Sequence, residues 1–264
     1  MIATDFEYDG QYLSDYGFII YGDNVDETVN PGSKIVFNKI PLNSGKYHSL
    51  SSTKFEECYT TTFNICKDPD IYDVNDRFIT DDEYRDIKRW LNRREFLKFC
   101  FIGDGDAVYF YVSFQVDKIL VNGNLIGMQL TLESNSPFGY GQEQTAKWTV
   151  ATAEKIYVLS DISDEIGYTY PDIQIVVNQN GNFEMYNKDT DCRMIIKNCS
   201  VGETITIKGD TRIIETDNEA HRKTIYNDFN FQYFTIANSI DNRLNRITVT
   251  LPSEITIKYT PIIK

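Results

Sequence analysis

One stretch, residues 80–101 (TDDEYRDIKRWLNRREFLKFCF), departs from the pattern of the rest of the chain and constrains its fold most. Thr80, with Glu83 three residues on, makes a capping box, and Asp81 and Asp82 put negative charge at the positive end of a helix dipole. Tyr84, Ile87 and Leu91 recur at three- and four-residue steps beside Trp90, while Arg85, Asp86, Lys88, Arg89, Asn92 and Arg93 fill the opposite face. The spacing predicts one amphipathic helix of about four turns near residues 81–93. Arg89, Arg93 and Arg94 then fall in its last turn, where cations suit the dipole, and strand character takes over at Phe96. No other segment shows a helical period, so a lone apolar stripe without a helical partner has to be buried on a sheet.

Around that helix the chain reads as strands. Phe6 and Tyr8 alternate before an Asp9-Gly10 turn, Phe18 to Tyr21 is a short apolar run, and Tyr59, Thr61, Phe63 and Ile65 alternate until Asp68-Pro69. Residues 23–34 and 43–53 are polar and rich in Gly, Ser and Asn, and are expected to be surface loops, arms of the kind that touch neighbours. Past the helix, residues 96–102 and 107–116 flank Gly103-Asp104-Gly105-Asp106, a hairpin signal. Apolar residues on both faces of 109–116 predict a strand covered on both sides. Ile126, Met128, Leu130 and Leu132 face one way and Gly127, Gln129, Thr131 and Glu133 the other. Residues 134–144, with Pro137, Gly139 and Gly141, are the expected boundary between a domain at 1–140 and a domain at 141–264. In the second domain short strands are expected near 148–150, 155–159, 173–177, 183–186, 194–197, 204–208, 212–215, 231–236, 246–251 and 254–259, at sandwich-like spacing and with no helix. The fold class is therefore mainly β in two domains.

Composition narrows the function classes. The chain carries 26 Lys and Arg against 39 Asp and Glu, a net charge of −13. Residues 1–136 hold 13 basic and 22 acidic residues, a balance of −9, and the remainder accounts for −4. Such a field repels phosphates and anionic membranes, so direct nucleic-acid binding and membrane insertion are not expected, and no apolar run approaches the ~20 residues of a span. Five cysteines, an odd number without a C-x-x-C pair, suggest neither a disulfide framework nor zinc and read as small buried hydrophobes. The opening MIATDFEYDG has no basic region and no apolar core, so synthesis in a reducing cytoplasm without export is expected.

Catalytic constellations are absent from the pattern. His48 falls in an expected loop and His221 in a charged segment, and both read as ordinary exposed histidines without a Ser or Cys context. Asp104-x-Asp106 and Asp189-x-Asp191 have the first spacing of a calcium loop but lack its glycine and closing Glu, so turns explain them. Gly103-x-Gly105 and Gly139-x-Gly141 are turn glycines with no following Lys-Ser/Thr. The cations Arg85, Lys88, Arg89, Arg93 and Arg94 share their segment with Asp81, Asp82, Glu83, Asp86 and Glu95, which reads as a solvated or subunit-bridging helix face. No catalytic residue, cofactor site or metal site is assigned. A cell-wall hydrolase is the weakest reading, because no metal, thiol or triad motif is legible, and no local signature singles out a glycosidase carboxylate pair. A carbohydrate-binding module that uses exposed aromatics of the second domain is the alternative to a structural protein.

The order of parts resembles the distal tail protein (Dit) family of long-tailed phages, the siphophage baseplate hub. The residues that carry this are Phe6-Glu7-Tyr8-Asp9-Gly10 with Asp15-Tyr16-Gly17-Phe18, the helix end Ile87-Lys88-Arg89-Trp90-Leu91, and the aromatic hairpin after it. Residues 133–140 with Pro137-Phe138, Tyr170-Pro171-Asp172-Ile173, residues 202–206 and 214–217, and Asn245-Arg246-Ile247 complete the pattern. The resemblance implies an N-terminal β-sandwich carrying the single helix and assembling into a hexameric ring, and a C-terminal galectin-like β-sandwich pointing outward. It implies a virion tail-tip protein, assembled in the host cytoplasm, that contacts the tail tube protein, a tail-associated hub or lysin protein and receptor-binding proteins. It implies no catalysis. DNA would slide through such a ring, and the acidic N-terminal half would repel its phosphates if those acids face the lumen.

Overall fold

The structure is a computed structural model and describes residues 4–21, 35–41, 48–55, 57–73, 75–103, 108–151 and 155–263. The expected loop at 23–34, residues 43–47 of the one expected at 43–53, and Asp104, Gly105 and Asp106 of the expected hairpin turn lie outside the described residues. The chain divides into two compact units, residues 1–141 and residues 142–263.

In the first unit the strands are β1 (Asp5–Tyr8), β2 (Gln11–Tyr12), β3 (Phe18–Tyr21), β4 (Ile35–Pro41), β5 (His48–Phe55) and β6 (Thr60–Lys67). The helix α1 (Asp81–Leu91) follows, then β7 (Leu97–Ile102), β8 (Tyr109–Val121), β9 (Asn124–Ser134) and β10 (Gly139–Tyr140). Seven strands form an antiparallel sheet in the order β2-β1-β7-β8-β9-β6-β3, with β10 paired to β8, while β4 and β5, among the described residues, pair only with each other. The sheet curls on itself. Phe6 of β1 and Phe63 of β6 lie four strands apart, about 19 Å in a flat sheet, yet their ring centroids are 5.8 Å apart. Ile20 N–H in β3 donates to Thr4 O at 2.9 Å just ahead of β1, so the two flanks of the sheet meet. One core results, built on Phe6, Tyr8, Phe99, Phe114, Met128, Leu130 and Leu132.

Helix α1 closes this core, as its sequence pattern requires. The capping box is present: Glu83 N–H donates to Thr80 Oγ1 at 3.3 Å, and Thr80 N–H donates to Glu83 Oε2 at 2.7 Å. Ile87, Trp90 and Leu91 are buried, and the Trp90 indole lies between Phe6 (5.6 Å, near parallel) and Tyr16 (4.6 Å), with its N–H donated to Tyr8 O at 3.2 Å. The helix has three turns and stops at Leu91, two residues short of expectation. Asn92 caps it onto Lys88 O, and Arg93, already outside it, folds its Nε back to Trp90 O at 3.0 Å.

Two expectations for this unit are corrected. Residues 48–53 are not loop but most of strand β5, paired with β4 in a two-stranded arm. Strand β8 has one buried face, Phe110, Val112, Phe114 and Val116, while Tyr111 and Gln115 on the other face are exposed. The aromatic residues there suggested two covered sides, but a tyrosine has a hydroxyl that favours water. The turn from β8 to β9 is Asn122-Gly123, with both φ values positive at 51° and 82°, as a two-residue hairpin of this kind needs.

The second unit contains β11 (Gln144–Val150), β12 (Ile156–Ser160), β13 (Gly167–Thr169), β14 (Asp172–Val177), β15 (Gly181–Asn187), β16 (Cys192–Cys199), β17 (Thr204–Lys208) and β18 (Ile213–Thr216). A short helix α2 (Ile225–Asp228) precedes β19 (Ile236–Asn238), β20 (Leu244–Val249), β21 (Ser253–Tyr259) and β22 (Ile262–Ile263). A five-stranded sheet, β11-β21-β14-β17-β18, and a four-stranded sheet, β12-β20-β15-β16, bury their facing sides in one core, a β-sandwich. Ile173, Ile175, Ile205 and Ile257 come from the first sheet and Phe183, Met185, Met194 and Val249 from the second. Two expectations fail here. Helix α2 and the 3₁₀ turn His221–Lys223 were not expected, because four residues are too few to show a helical period. Of 231–236 only Ile236 is strand. Asn230 takes the strand's place against β16, its side chain accepting from Ile195 N and donating to Arg193 O, and Phe231 turns to positive φ.

Lys67 ties the helix to the sheet electrostatically. Its ammonium, almost fully buried, lies 2.7 Å from Glu83 Oε1 and donates to Asp76 O. Burial pushes the Glu83 carboxyl up, but hydrogen bonds from Lys67 and Thr80 outweigh it and hold the group below the usual carboxylate range. A depressed carboxylate contributes stability that is complete above its unfolded value, about 4.3, and is lost as the pH falls through the lower folded value. Glu83→Gln is therefore expected to cost about 1 kcal/mol at pH 7 in urea unfolding, with the gap to wild type closing in that acidic window. A gap that stays constant down to pH 2 would contradict the assignment.

Candidate functional site

The residues singled out by sequence do not converge on a catalytic centre. His48 begins strand β5 rather than lying in a loop. His221 is buried rather than exposed, and its Nδ1 is 2.5 Å from Glu203 Oε1 with Nε2 3.6 Å from Asp228 Oδ2. Glu203, fully buried at its side chain, also accepts from Thr216 Oγ1 at 2.5 Å and Ser200 N at 2.8 Å. The cluster pins the 3₁₀ turn onto β17 and β18. The sequence hid it because His221 and Thr216 meet Glu203 from 18 and 13 residues away along the chain.

Asp189 and Asp191 occupy the turn from β15 to β16. Asp189 accepts from Arg246 at its backbone N–H (2.6 Å) and its guanidinium, and the Arg246 contact holds its carboxyl below the usual range. Asp191 accepts the Tyr186 hydroxyl at 3.0 Å, and the Arg193 guanidinium covers the Tyr186 ring at 4.4 Å. On this outer face of the four-stranded sheet the charged groups are matched to one another. Gly139 is a packing glycine, since a Cβ there would collide with Val108. The helix cations are dispersed: Arg85 pairs with Asp82 and Arg89 with Asp86, all well exposed. Cys100, Cys192 and Cys199 are buried, as expected, while Cys58 and Cys66 are half-buried. Burial pushes the Cys199 thiol up to about 11, which leaves it inert at neutral pH. Among the described residues no group of three or more His, Cys, Asp or Glu could hold a metal ion, and no helix is long and apolar enough to cross a membrane.

What the structure does bring together is an apolar surface on the arm. Strands β4 and β5 pair from Ile35 opposite Phe55 to Pro41 opposite His48, and Asn38 donates to Ser52 Oγ at 3.0 Å. The register shifts after Asn38, where Ser51 is the extra residue of a bulge. Cross-strand partners share a face, so the shift puts Leu50, opposite Lys39, on the same side as Ile35, Phe37 and Phe55. Ile35, Phe37 and Leu50 are 44%, 56% and 55% exposed, and the arm shares no ladder with another strand among the described residues. A lone two-stranded hairpin is marginal in water, and a contiguous open apolar stripe on one marks a contact surface. At its base Phe55 meets Phe138 edge-to-face at 4.5 Å, which anchors the arm to the first unit.

Comparison with known proteins agrees across both units. A family model described as a phage tail protein N-terminal domain matches residues 1–136, and one described as a phage tail C-terminal domain matches residues 138–259. Among solved structures, the chain is similar to the Dit protein of phage SPP1, described as a paradigm of the hub adsorption apparatus in phages infecting Gram-positive hosts. The TM-score is 0.66 at 14% identity, over 98% of this chain and 99% of that one. It is also similar to a chain of the phage P2 baseplate in its activated, Ca-bound conformation, with a TM-score of 0.51 at 10% identity over 98% of both chains. No curated protein matches. At these identities the structural likeness shows the fold.

The buried histidine cluster is read as structural, and that is testable. His221→Ala leaves the Glu203 carboxylate in the interior short of a partner and is expected to destabilise the second unit by about 3 kcal/mol in denaturant unfolding. A loss under about 0.5 kcal/mol, the size of an ordinary surface change, would contradict it.

Proposed function

The chain belongs to a family of phage tail proteins, and from that premise we propose that it is a non-catalytic distal tail component whose copies close into a hexameric ring at the tail tip. In this reading the ring is the baseplate hub. It joins the tail tube protein to a tail-associated hub or lysin protein and offers attachment points to receptor-binding proteins. The fold shared with the SPP1 hub protein supports the reading. The observation that carries it is the arm: Ile35, Phe37 and Leu50 lie exposed on one face of a hairpin that pairs with no further strand among the described residues, and a neighbouring copy supplies the cover. The acidic excess of residues 1–136, −9, suits a lumen through which DNA passes without sticking.

In a concentration series followed by light scattering and negative-stain imaging, the chain is expected to form closed rings. The double change Phe37→Glu with Leu50→Glu is expected to leave monomers whose unfolding stays within about 1 kcal/mol of wild type. A wild-type chain that remains monomeric at high concentration, even with the tail tube protein added, would overturn the reading.

A further inference from the structure

Between helix α1 and the 3₁₀ turn Leu13–Tyr16, the first unit has an open cleft of about 240 Å³ lined by Gln11, Tyr16, Asp86, Arg89, Trp90 and Arg93. Its floor is rigid: Tyr16 stacks on Trp90 at 4.6 Å, and the Trp90 indole N–H is committed to Tyr8 O. Its walls carry two guanidiniums against one carboxylate. Arg93 gives only its Nε to Trp90 O, which orients the guanidinium, and it has no ion pair among the described residues. Arg89 shares an exposed pair with Asp86 at 3.2 Å, the kind of pair worth little in water and readily exchanged for a better partner. Gln11 accepts the Tyr16 hydroxyl on Oε1 at 2.5 Å, which leaves its amide NH₂ as a further donor.

From this we infer that the cleft receives an Asp or Glu side chain from a second copy of this chain, held by the Arg93 guanidinium with Arg89 and Gln11 beside it. The inference rests on the ring reading and names a polar contact within it. Charge complementarity selects the occupant. Each copy carries −13, so two copies repel at a distance, and apolar cover on the arm alone supplies no electrostatic register. A cationic cleft with an aromatic floor is where an acidic neighbour is both attracted and fixed, because a guanidinium binds a carboxylate through two parallel hydrogen bonds that an ammonium cannot reproduce.

The test compares full-length wild type, Arg93→Glu, Arg93→Lys and Phe37→Glu by sedimentation at low and high salt. Arg93→Glu is expected to raise the concentration at half-assembly by at least about tenfold at low salt, an effect that shrinks as salt rises. Arg93→Lys, which keeps the charge and loses the paired hydrogen bonds, is expected to fall between wild type and Arg93→Glu, with assembly recovered by raising the protein concentration. Treating assembled Arg93→Lys with a zero-length carbodiimide should join the new amine to an Asp or Glu of another copy, located by mass spectrometry. Urea unfolding of the variants as monomers separates loss of contact from loss of fold. If Arg93→Glu assembles as wild type does while Phe37→Glu fails to, the cleft inference falls and the ring reading stands. If wild type never assembles, both fall. An amide formed only within one copy also overturns the inference.

Discussion

The fold of the first unit depends on one aromatic sandwich. Trp90, from the amphipathic helix α1, lies between Phe6 of β1 and Tyr16 of the 3₁₀ turn, and its N–H closes on Tyr8 O. Emptying a site of this size costs about 3–5 kcal/mol, a large share of the stability of a domain. The contact also explains the curl of the sheet. Phe6 touches Trp90, Phe63, Phe99 and Phe114, which come from the helix and three other strands, so the sheet has to bend around a single ring. Helix and sheet are thereby one object, and the Lys67–Glu83 pair fastens the helix's other end.

That coupling is why so much was legible in advance. The capping box, the stripe of Ile87, Trp90 and Leu91, and the alternation of β6 and β9 are local patterns, and each predicts an element that the structure contains. What escaped was set by distance or by shortness. Residues 48–53 read as loop because Ser and Thr dominate them, and only pairing with Ile35–Pro41 makes them strand. Helix α2 is too short for a period, and residues 231–235 are held out of strand by the Asn230 side chain. The burial of His221 depends on Glu203, 18 residues earlier, which no local pattern announces. The apolar stripe of the arm was invisible for a similar reason: Leu50 joins Ile35 and Phe37 only through a bulge.

Polar chemistry in the second unit is directed inward, toward holding the sandwich together. Asn187 donates to Asn245 Oδ1 and Thr235 O, Asn245 accepts Ala237 N–H, and Asp161 accepts from Ser163 and Thr169. Groups engaged in this way specify a rigid scaffold, since each satisfied partner raises the cost of any alternative packing. The surface features left over, an apolar arm face and a cationic cleft on an acidic body, are those of a molecule whose work is contact with neighbours. This agrees with membership in a phage tail family.

The central claim, that the arm is completed only by another copy, is most directly tested by hydrogen exchange at the amides of Ile35–Pro41 and His48–Phe55 as a function of protein concentration. The account predicts fast exchange in the dilute monomer, where a lone hairpin opens readily, and strong protection once copies assemble. Arm amides that exchange equally fast in the assembled particle would contradict it.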